Sequence, residues 1–363
     1  MREKIKAYDL EDLKRKIKDF PFVELISRPT PLYLMEKLSK EAEGRKILIK
    51  RDDLTGLAFG GNKSRKLEFI LADALKKGAD TVVTWGALQS NWCLQLAAAA
   101  CKVGLRPVLL LFKSYDVPAI YEGNVFLEFL LDARIEIKES AEKGKSVNQD
   151  KALELLEELA ARERAKGHRP YLVPVGGSTR GGHLDKPLGA LSYFQAMLEI
   201  YEQTAPFSAT PDYLVTASGS GGTQAGLIVG AKALGLKTKV VGICVSDKKE
   251  EFLPVVKQIA FDLVNTLDLE VELDNEDFIL VDDYLGAGYG LMTAEIAQTI
   301  RNIFKKEALI LDPVYTAKAM LGLIDLVKRN YFSSNDRILF VHTGGTPALF
   351  AFKDYLLSCL PAH

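Results

Sequence analysis

One lysine and two glycine-rich loops carry the residue types that make covalent chemistry and hold anions. Thr216-Ala217-Ser218-Gly219-Ser220-Gly221-Gly222-Thr223 is a run of small residues that leaves an apolar strand pattern and enters a helical one. Successive backbone N–H groups in such a turn, with the positive end of the following helix, make a site for a phosphate. A ligand-free turn needs fewer small residues, so the run favours an anion. Two nucleotide motifs nearly fit. The dinucleotide fingerprint wants a third glycine where Gln224 stands, although Asp247 follows the next strand as that motif's acidic residue would. The P-loop wants glycine directly before lysine, and Asn62 intervenes in Gly60-Gly61-Asn62-Lys63-Ser64.

Lys63 follows the polar run Lys50-Arg51-Asp52-Asp53-Leu54-Thr55-Gly56. A lysine in the first turn of a helix feels the positive end of the dipole, which disfavours its own charge. That placement is poor for a structural lysine and suits an amine that must attack a carbonyl unprotonated. Alone the signal is weak, because most lysines are solvated surface residues. Its partners decide.

The elements that must present these groups alternate between apolar strands and helical patterns. Leu67, Ile70, Leu71, Ala74 and Leu75 share one face of a helix over 63–77, with Asn62 as its N-cap. A strand is expected over 81–85, then a helix capped by Ser90 and stopped at Gly104. Further strands are expected over 107–112, 135–137, 171–175, 213–217, 239–245 and 338–341. The helices between them fall over 124–132, 150–166, 293–306 and 316–329, with others after Asp185, after the glycine loop and after Gly345. The stretches 138–151 and 179–186 read as loops. Repeated β-α alternation with apolar strands predicts an α/β fold of parallel-rich sheets covered on both faces, with the site between two directly packed units.

Composition narrows the classes further. The 363 residues carry 47 Lys+Arg against 48 Asp+Glu, a formal charge of −1, which argues against nucleic acid or an anionic membrane surface as partner. At about 100–200 residues per domain, the length predicts two domains or one large α/β unit. No run approaches the roughly 18 apolar residues of a membrane helix, and the N-terminus mixes charge signs without an apolar core. Cys93, Cys101, Cys244 and Cys359 lack CxxC spacing, and His168, His183, His342 and His363 form no ligand pair, so no metal site is expected. A reducing cytoplasm fits these features.

In order along the chain, GGNKSRKLE around Lys63, GALQSN, SGSGGT and HTGGT resemble the fold-type II pyridoxal-phosphate enzymes, which share the tryptophan synthase beta-like fold. The match is most similar to the subgroup containing D-cysteine desulfhydrase and 1-aminocyclopropane-1-carboxylate deaminase. It runs from Pro29-Thr30-Pro31-Leu32 to Phe350 and includes Glu122-Gly123-Asn124, Pro174-Val175-Gly176-Gly177-Ser178, Gly288-Tyr289-Gly290 and Asp312-Pro313-Val314-Tyr315. The resemblance implies a large cofactor-binding domain of residues 1–62 and 176–363, with a smaller α/β domain, 63–175, inserted in it. It also implies a homodimer.

By the same resemblance, Lys63 forms the Schiff base with pyridoxal 5'-phosphate and shuttles the substrate Cα proton. Asn91 matches the residue that meets the cofactor's phenolic oxygen, and Gly219, Ser220, Gly221, Gly222 and Thr223 match the phosphate cradle. Thr343 matches the hydroxyl near the pyridine nitrogen, a neutral partner that leaves the ring a weaker electron sink and suits elimination. Asn62 joins this cofactor-holding set. Ser90 matches the residue near the substrate carboxylate, and Tyr289 and Tyr315 match active-site phenols able to move protons. Gln89, Asn91, Tyr289 and Thr316 complete the substrate-facing set. The deaminases carry glutamate after the tyrosine, whereas Tyr315-Thr316 resembles the desulfhydrases.

The implied reaction is α,β-elimination of a small amino acid, most readily D-cysteine, to pyruvate, sulfide and ammonia. Two residues depart from the desulfhydrase pattern: Trp92 stands for His and Leu94 for Arg, which would alter the charge and size the site accepts. The segments 138–151, 179–186 and 246–275 also diverge. The alternatives are a cyclopropane-opening deaminase, a nicotinamide-dependent oxidoreductase using Gly219 to Gly226 with Asp247, and a non-catalytic amino-acid-binding protein.

Overall fold

Strands that are apolar on both faces must be covered on both sides, and the chain answers with two sheets and helices packed around them. The computed structural model describes residues 7–115, 121–140, 144 and 147–360. His363 and residues 141–143, 145 and 146 of the expected 138–151 loop lie outside them. The strands are β1 (Leu32–Leu34), β2 (Lys46–Lys50), β3 (Thr81–Ala87), β4 (Arg106–Lys113), β5 (Arg134–Glu139), β6 (Pro170–Val173), β7 (Tyr213–Ser218), β8 (Lys239–Cys244), β9 (Ile279–Val281) and β10 (Arg337–Val341).

One sheet has the order β5-β4-β3-β6 and is parallel throughout. The other runs β1-β2-β10-β7-β8-β9 and is parallel except for the β1–β2 pair. Parallel neighbours require a crossover, and helices supply it. The loops that leave β2, β3, β7 and β10 are those that carry the lysine, the Gln89-Ser90-Asn91 turn, the small-residue run and Thr343. All four lie at the carboxyl ends of parallel strands, where an open α/β sheet places its ligand.

Most expected elements form with ends moved by a residue or two. Ser90 caps the helix Asn91–Lys102, its Oγ accepting from the Cys93 N–H at 3.3 Å, and Gly104 turns with φ +78° beyond that helix. Asn62 is not a cap. The helix Asn62–Lys76 begins at Asn62 itself and Gly61 precedes it, because the Asn62 amide is used elsewhere. The segment 246–275 holds a full helix, Lys249–Thr266, with Phe252, Val256, Ile259, Ala260 and Leu263 buried along one face. Pro254 sits inside this helix, in its second turn, and lacks the N–H that would ordinarily donate to the Glu250 carbonyl. A further helix, Leu10–Lys18, is capped by Asp9 and buries Leu13 and Ile17.

The helix that carries Lys63 is fixed by charge as well as by apolar packing. Arg65 is buried with its guanidinium between two acids. It donates to Asp52 through Nε and Nη2 at 3.0 and 2.8 Å, and to Glu199 through Nη1 and Nη2 at 2.9 Å each. Lys50 Nζ donates to Glu199 Oε1 at 2.5 Å, and Tyr193 Oη to Asp52 Oδ2 at 2.6 Å. Two cations thus face two anions across β2, the helix Asn62–Lys76 and the helix Leu188–Thr204. Burial alone would raise the Glu199 carboxyl, but the hydrogen bonds and charge of Arg65, with Lys50, hold it down at about 2. Removing one member of such a set strands its partners in a dry interior. Arg65→Met is expected to lower unfolding stability by about 3–5 kcal/mol, read as a lower midpoint in chemical denaturation. An unchanged midpoint would show that the acids find solvent without it.

Candidate active site

The lysine loop reaches its position by close backbone contact. Gly61 sits at φ +137°, and a Cβ there would lie 2.4 Å from Gln95 Nε2 and 3.0 Å from the Thr343 carbonyl oxygen. Glycine permits both that conformation and that approach. Gly61 bridges Gly344, and the Asn62 N–H donates to the Thr343 carbonyl at 3.0 Å. Gln95 clamps the same loop from the helix Asn91–Lys102. Its Oε1 accepts from the Ser64 N–H and hydroxyl, each at 2.8 Å, and its Nε2 donates to the Gly60 carbonyl at 2.9 Å. Asn62 Nδ2 donates to Thr223 Oγ1 at 3.0 Å, tying the lysine loop to the small-residue run. Lys63 opens into a cleft of about 970 Å³. Burial lowers its amine to about 8, so a useful fraction is neutral near physiological pH.

The small-residue run turns at Gly221, whose φ is +78°, into the helix Gly222–Ala233. Phe252, Val256 and Ile259, from the helix Lys249–Thr266, pack against Gly221 from behind. Ser220 Oγ lies 3.0 Å from Ser178 Oγ, and Lys66 Nζ donates to Ser178 Oγ at 3.2 Å. Lys66 is fully buried, and no carboxylate pairs with it among the described residues. Burial first, and the nearby Lys63 charge second, push its amine well below the ordinary lysine range. A Cβ on Gly222 would stand 3.3 Å from Lys66 Nζ. A helix N-terminus and a lysine Nζ with no carboxylate partner among the described residues therefore converge on one spot, a donor set that suits a phosphate. Gln224 faces the other way: Oε1 accepts from Ser218 Oγ and Nε2 donates to the Ile279 carbonyl, each at 2.8 Å. Its side chain braces the sheet where a dinucleotide site would need glycine.

Across the cleft stand Ser90, Asn91, Trp92, Tyr289 and Tyr315. The two phenol oxygens are 2.6 Å apart. Burial raises both above the ordinary range, so the pair is protonated. Asn91 Oδ1 accepts from Asn124 Nδ2 at 2.8 Å, which fixes its rotamer. Trp92 Nε1 donates to Thr84 Oγ1 at 2.8 Å, leaving the ring as apolar wall.

Of the residues expected in the site, Asn62, Lys63, Ser90, Asn91, Gly219, Ser220, Gly221, Thr223, Tyr289, Tyr315 and Thr343 line the cleft together. Gln89, Gly222, Thr316 and Leu94 are not on its wall. The Gln89 side chain holds the Glu122 carbonyl and the Asn124 N–H. The Thr316 hydroxyl donates to Asp312 Oδ1 and accepts from the Asp312 N–H, each at 2.7 Å, so it shapes the turn before Tyr315 from inside. Of the residues not expected, Trp85 lines the cleft, whereas Lys66, Ser178 and Gln95 stand behind its wall and hold neighbouring groups. Lys66 follows Lys63 at i+3, on the same helical face, and that spacing was the available signal.

Three comparisons place this geometry. The family model described as pyridoxal-phosphate dependent enzyme matches residues 23–344. The D-cysteine desulfhydrase of Serratia proteamaculans (strain 568) is 44% identical over 346 residues, covering 94% of this chain and 98% of that protein. The D-cysteine desulfhydrase of Klebsiella pneumoniae subsp. pneumoniae is 43% identical over 340 residues, covering 93% and 98%. A crystal structure of an ACC deaminase homologue superposes with a TM-score of 0.85 at 37% identity, covering 96% of this chain and 99% of that one. The family match sets the nicotinamide reading aside. With the amine, the anion cradle and the protonated phenols assembled on one cleft, the chain belongs to the pyridoxal-phosphate-dependent enzymes.

Proposed function

We infer that the protein eliminates the β-substituent of a small amino acid, with D-cysteine as substrate, and releases pyruvate, sulfide and ammonia. One water is consumed, and no oxidant or reductant is needed. The observation that carries this reading is a lysine amine lowered to about 8 in the same cleft as a pair of protonated phenols. Similarity to the two desulfhydrases supports the substrate. Tyr315-Thr316, where the cyclopropane-opening deaminases carry glutamate, supports elimination over ring opening.

Pyridoxal phosphate fits the cradle, and when bound it supplies an aldehyde for the amino group and a ring that draws electrons from Cα. The protein's residues do the rest. Gly219 to Thr223 and Lys66 hold the phosphate, and Asn62 links that cradle to the lysine loop. Lys63 Nζ takes the proton from Cα. The Tyr289–Tyr315 pair, kept neutral by burial, delivers a proton to the departing sulfur. Ser90 lies at the N-terminus of the helix Asn91–Lys102, whose backbone N–H groups favour the substrate carboxylate.

We also propose a homodimer. Phe126, Phe129 and Leu130 are exposed along one helix, and Phe350 is exposed on the helix Thr346–Ala351 packed beside it. A contiguous apolar face of this kind is costly to leave in water. The absence of disulfides among the four cysteines fits the proposed reducing cytoplasm.

The purified protein should be yellow and release keto acid and sulfide from D-cysteine, and Lys63→Ala should abolish both the colour and the release. A colourless protein that ignores added pyridoxal phosphate would sink the reading. Because the neutral amine is the nucleophile, cofactor capture by the apoprotein should quicken as pH rises through about 8. A rate flat across that range would contradict the shift. Lys66→Met should weaken pyridoxal phosphate binding about 10- to 100-fold, as expected for losing a charge-assisted bond to phosphate, while affinity for phosphate-free pyridoxal changes little. Equal losses for both would remove Lys66 from the cradle. Phe129→Glu should convert a dimer to a monomer in sedimentation, and a parent that already sediments as a monomer would end that proposal.

A further inference from the structure

Lys318 is a fully buried lysine that the proposed chemistry does not use. It stands in the first turn of the helix Thr316–Lys328, the positive end, where an ammonium is poorly placed for stability. No carboxylate forms an ion pair with it among the described residues. Its Nζ instead donates to three backbone carbonyls: Leu285 at 2.7 Å, Gly288 at 2.9 Å and Val245 at 3.2 Å. These acceptors come from separate parts of the site. Val245 ends the segment after β8 and precedes Ser246 on the cleft wall, while Leu285 and Gly288 belong to the loop that carries Tyr289. Lys318 itself follows Tyr315 by three residues.

The peptide unit between Gly288 and Tyr289 is gripped at both ends. Its carbonyl accepts from Lys318, and the Tyr289 N–H donates to the Gly144 carbonyl at 2.7 Å. Rotation of that peptide would swing the Tyr289 ring, so fixing it fixes the phenol. We propose that Lys318 is a positioning residue whose ammonium, seated on the carbonyls of Val245, Leu285 and Gly288, sets the Tyr289 hydroxyl against the Tyr315 hydroxyl. An ammonium suits this task because its three donors meet three acceptors, which no neutral side chain of that length supplies. Burial lowers Lys318 to about 8 against the pull of Asp312, which leaves the ammonium as the larger fraction at neutral pH. The inference rests on the role proposed above for the phenol pair.

The test uses the cofactor-loaded enzyme with Lys318→Met, Lys318→Gln, Tyr289→Phe and the Lys318→Met/Tyr289→Phe double variant. Lys318→Met should lower kcat on D-cysteine about 10- to 100-fold, with KM within about threefold and the visible cofactor absorbance retained. Lys318→Gln, which keeps two N–H donors, should fall between it and the parent. In the Tyr289→Phe background, Lys318→Met should add less than about a threefold loss, because the group it orients is gone. Independently of turnover, amide exchange at Gly288 and Tyr289 should quicken in Lys318→Met while the helix Asn91–Lys102 stays protected. Losses that multiply in the double variant, or unchanged exchange at those amides, would overturn the proposal. So would loss of the cofactor spectrum in both single Lys318 variants, which would make Lys318 a stability residue. If Tyr289→Phe alone turns over at the parental rate, the phenol's catalytic role is what fails, and the exchange measurement then decides Lys318.

Discussion

The arrangement depends first on a buried guanidinium. Arg65 has no neutral form near physiological pH, so its place between Asp52 and Glu199 must be paired and fully hydrogen-bonded to be tolerated in the interior. Satisfying it brings β2, the lysine-bearing helix and the helix Leu188–Thr204 into one fixed relation. Lys63 lies two residues from that anchor, on the end of the helix that faces the cleft. A flexible amine would be free to search for solvent. This one is held at the floor of a cavity, where burial lowers its basicity.

The same economy of charge runs through the cradle. The chain is almost neutral overall, yet a dianionic phosphate needs local positive potential. Backbone N–H groups at a helix start provide it without adding a side-chain charge, and Lys66 adds one more source with no carboxylate paired to it among the described residues. In the apoprotein that ammonium is an electrostatic liability, as the depression of its basicity indicates. In the proposed role, a phosphate would make it a matched pair. Binding energy and folding energy are therefore linked through one residue.

Legibility in the sequence followed the range of the signal. Local patterns were readable: the Ser90 cap, the stop at Gly104 and the parallel-rich alternation are set by neighbours within a few residues. The ordered motifs carried the family and the lysine. Contacts between distant segments were not readable. Gln95 looks like an ordinary helix residue until Gly60 and Ser64 are folded onto it. Thr316 opens the expected helix and Gln89 sits in the expected loop, yet the structure turns their side chains toward Asp312 and Asn124. The helix Lys249–Thr266 falls in the divergent segment 246–275 and carries Pro254 in its second turn, a residue that ordinarily breaks a helical pattern.

The bridge between Gly61 and Gly344 has a consequence for biosynthesis. It joins two segments far apart in the sequence, and the Asn62 N–H to Thr343 bond lies beside it. Every residue between these two glycines must be made before this seam can close. Until then the amine has no floor and the cradle is not tied to it, so the emerging chain cannot use its cofactor as a template. A site that needs both segments is accordingly complete only in a chain that has already found its topology.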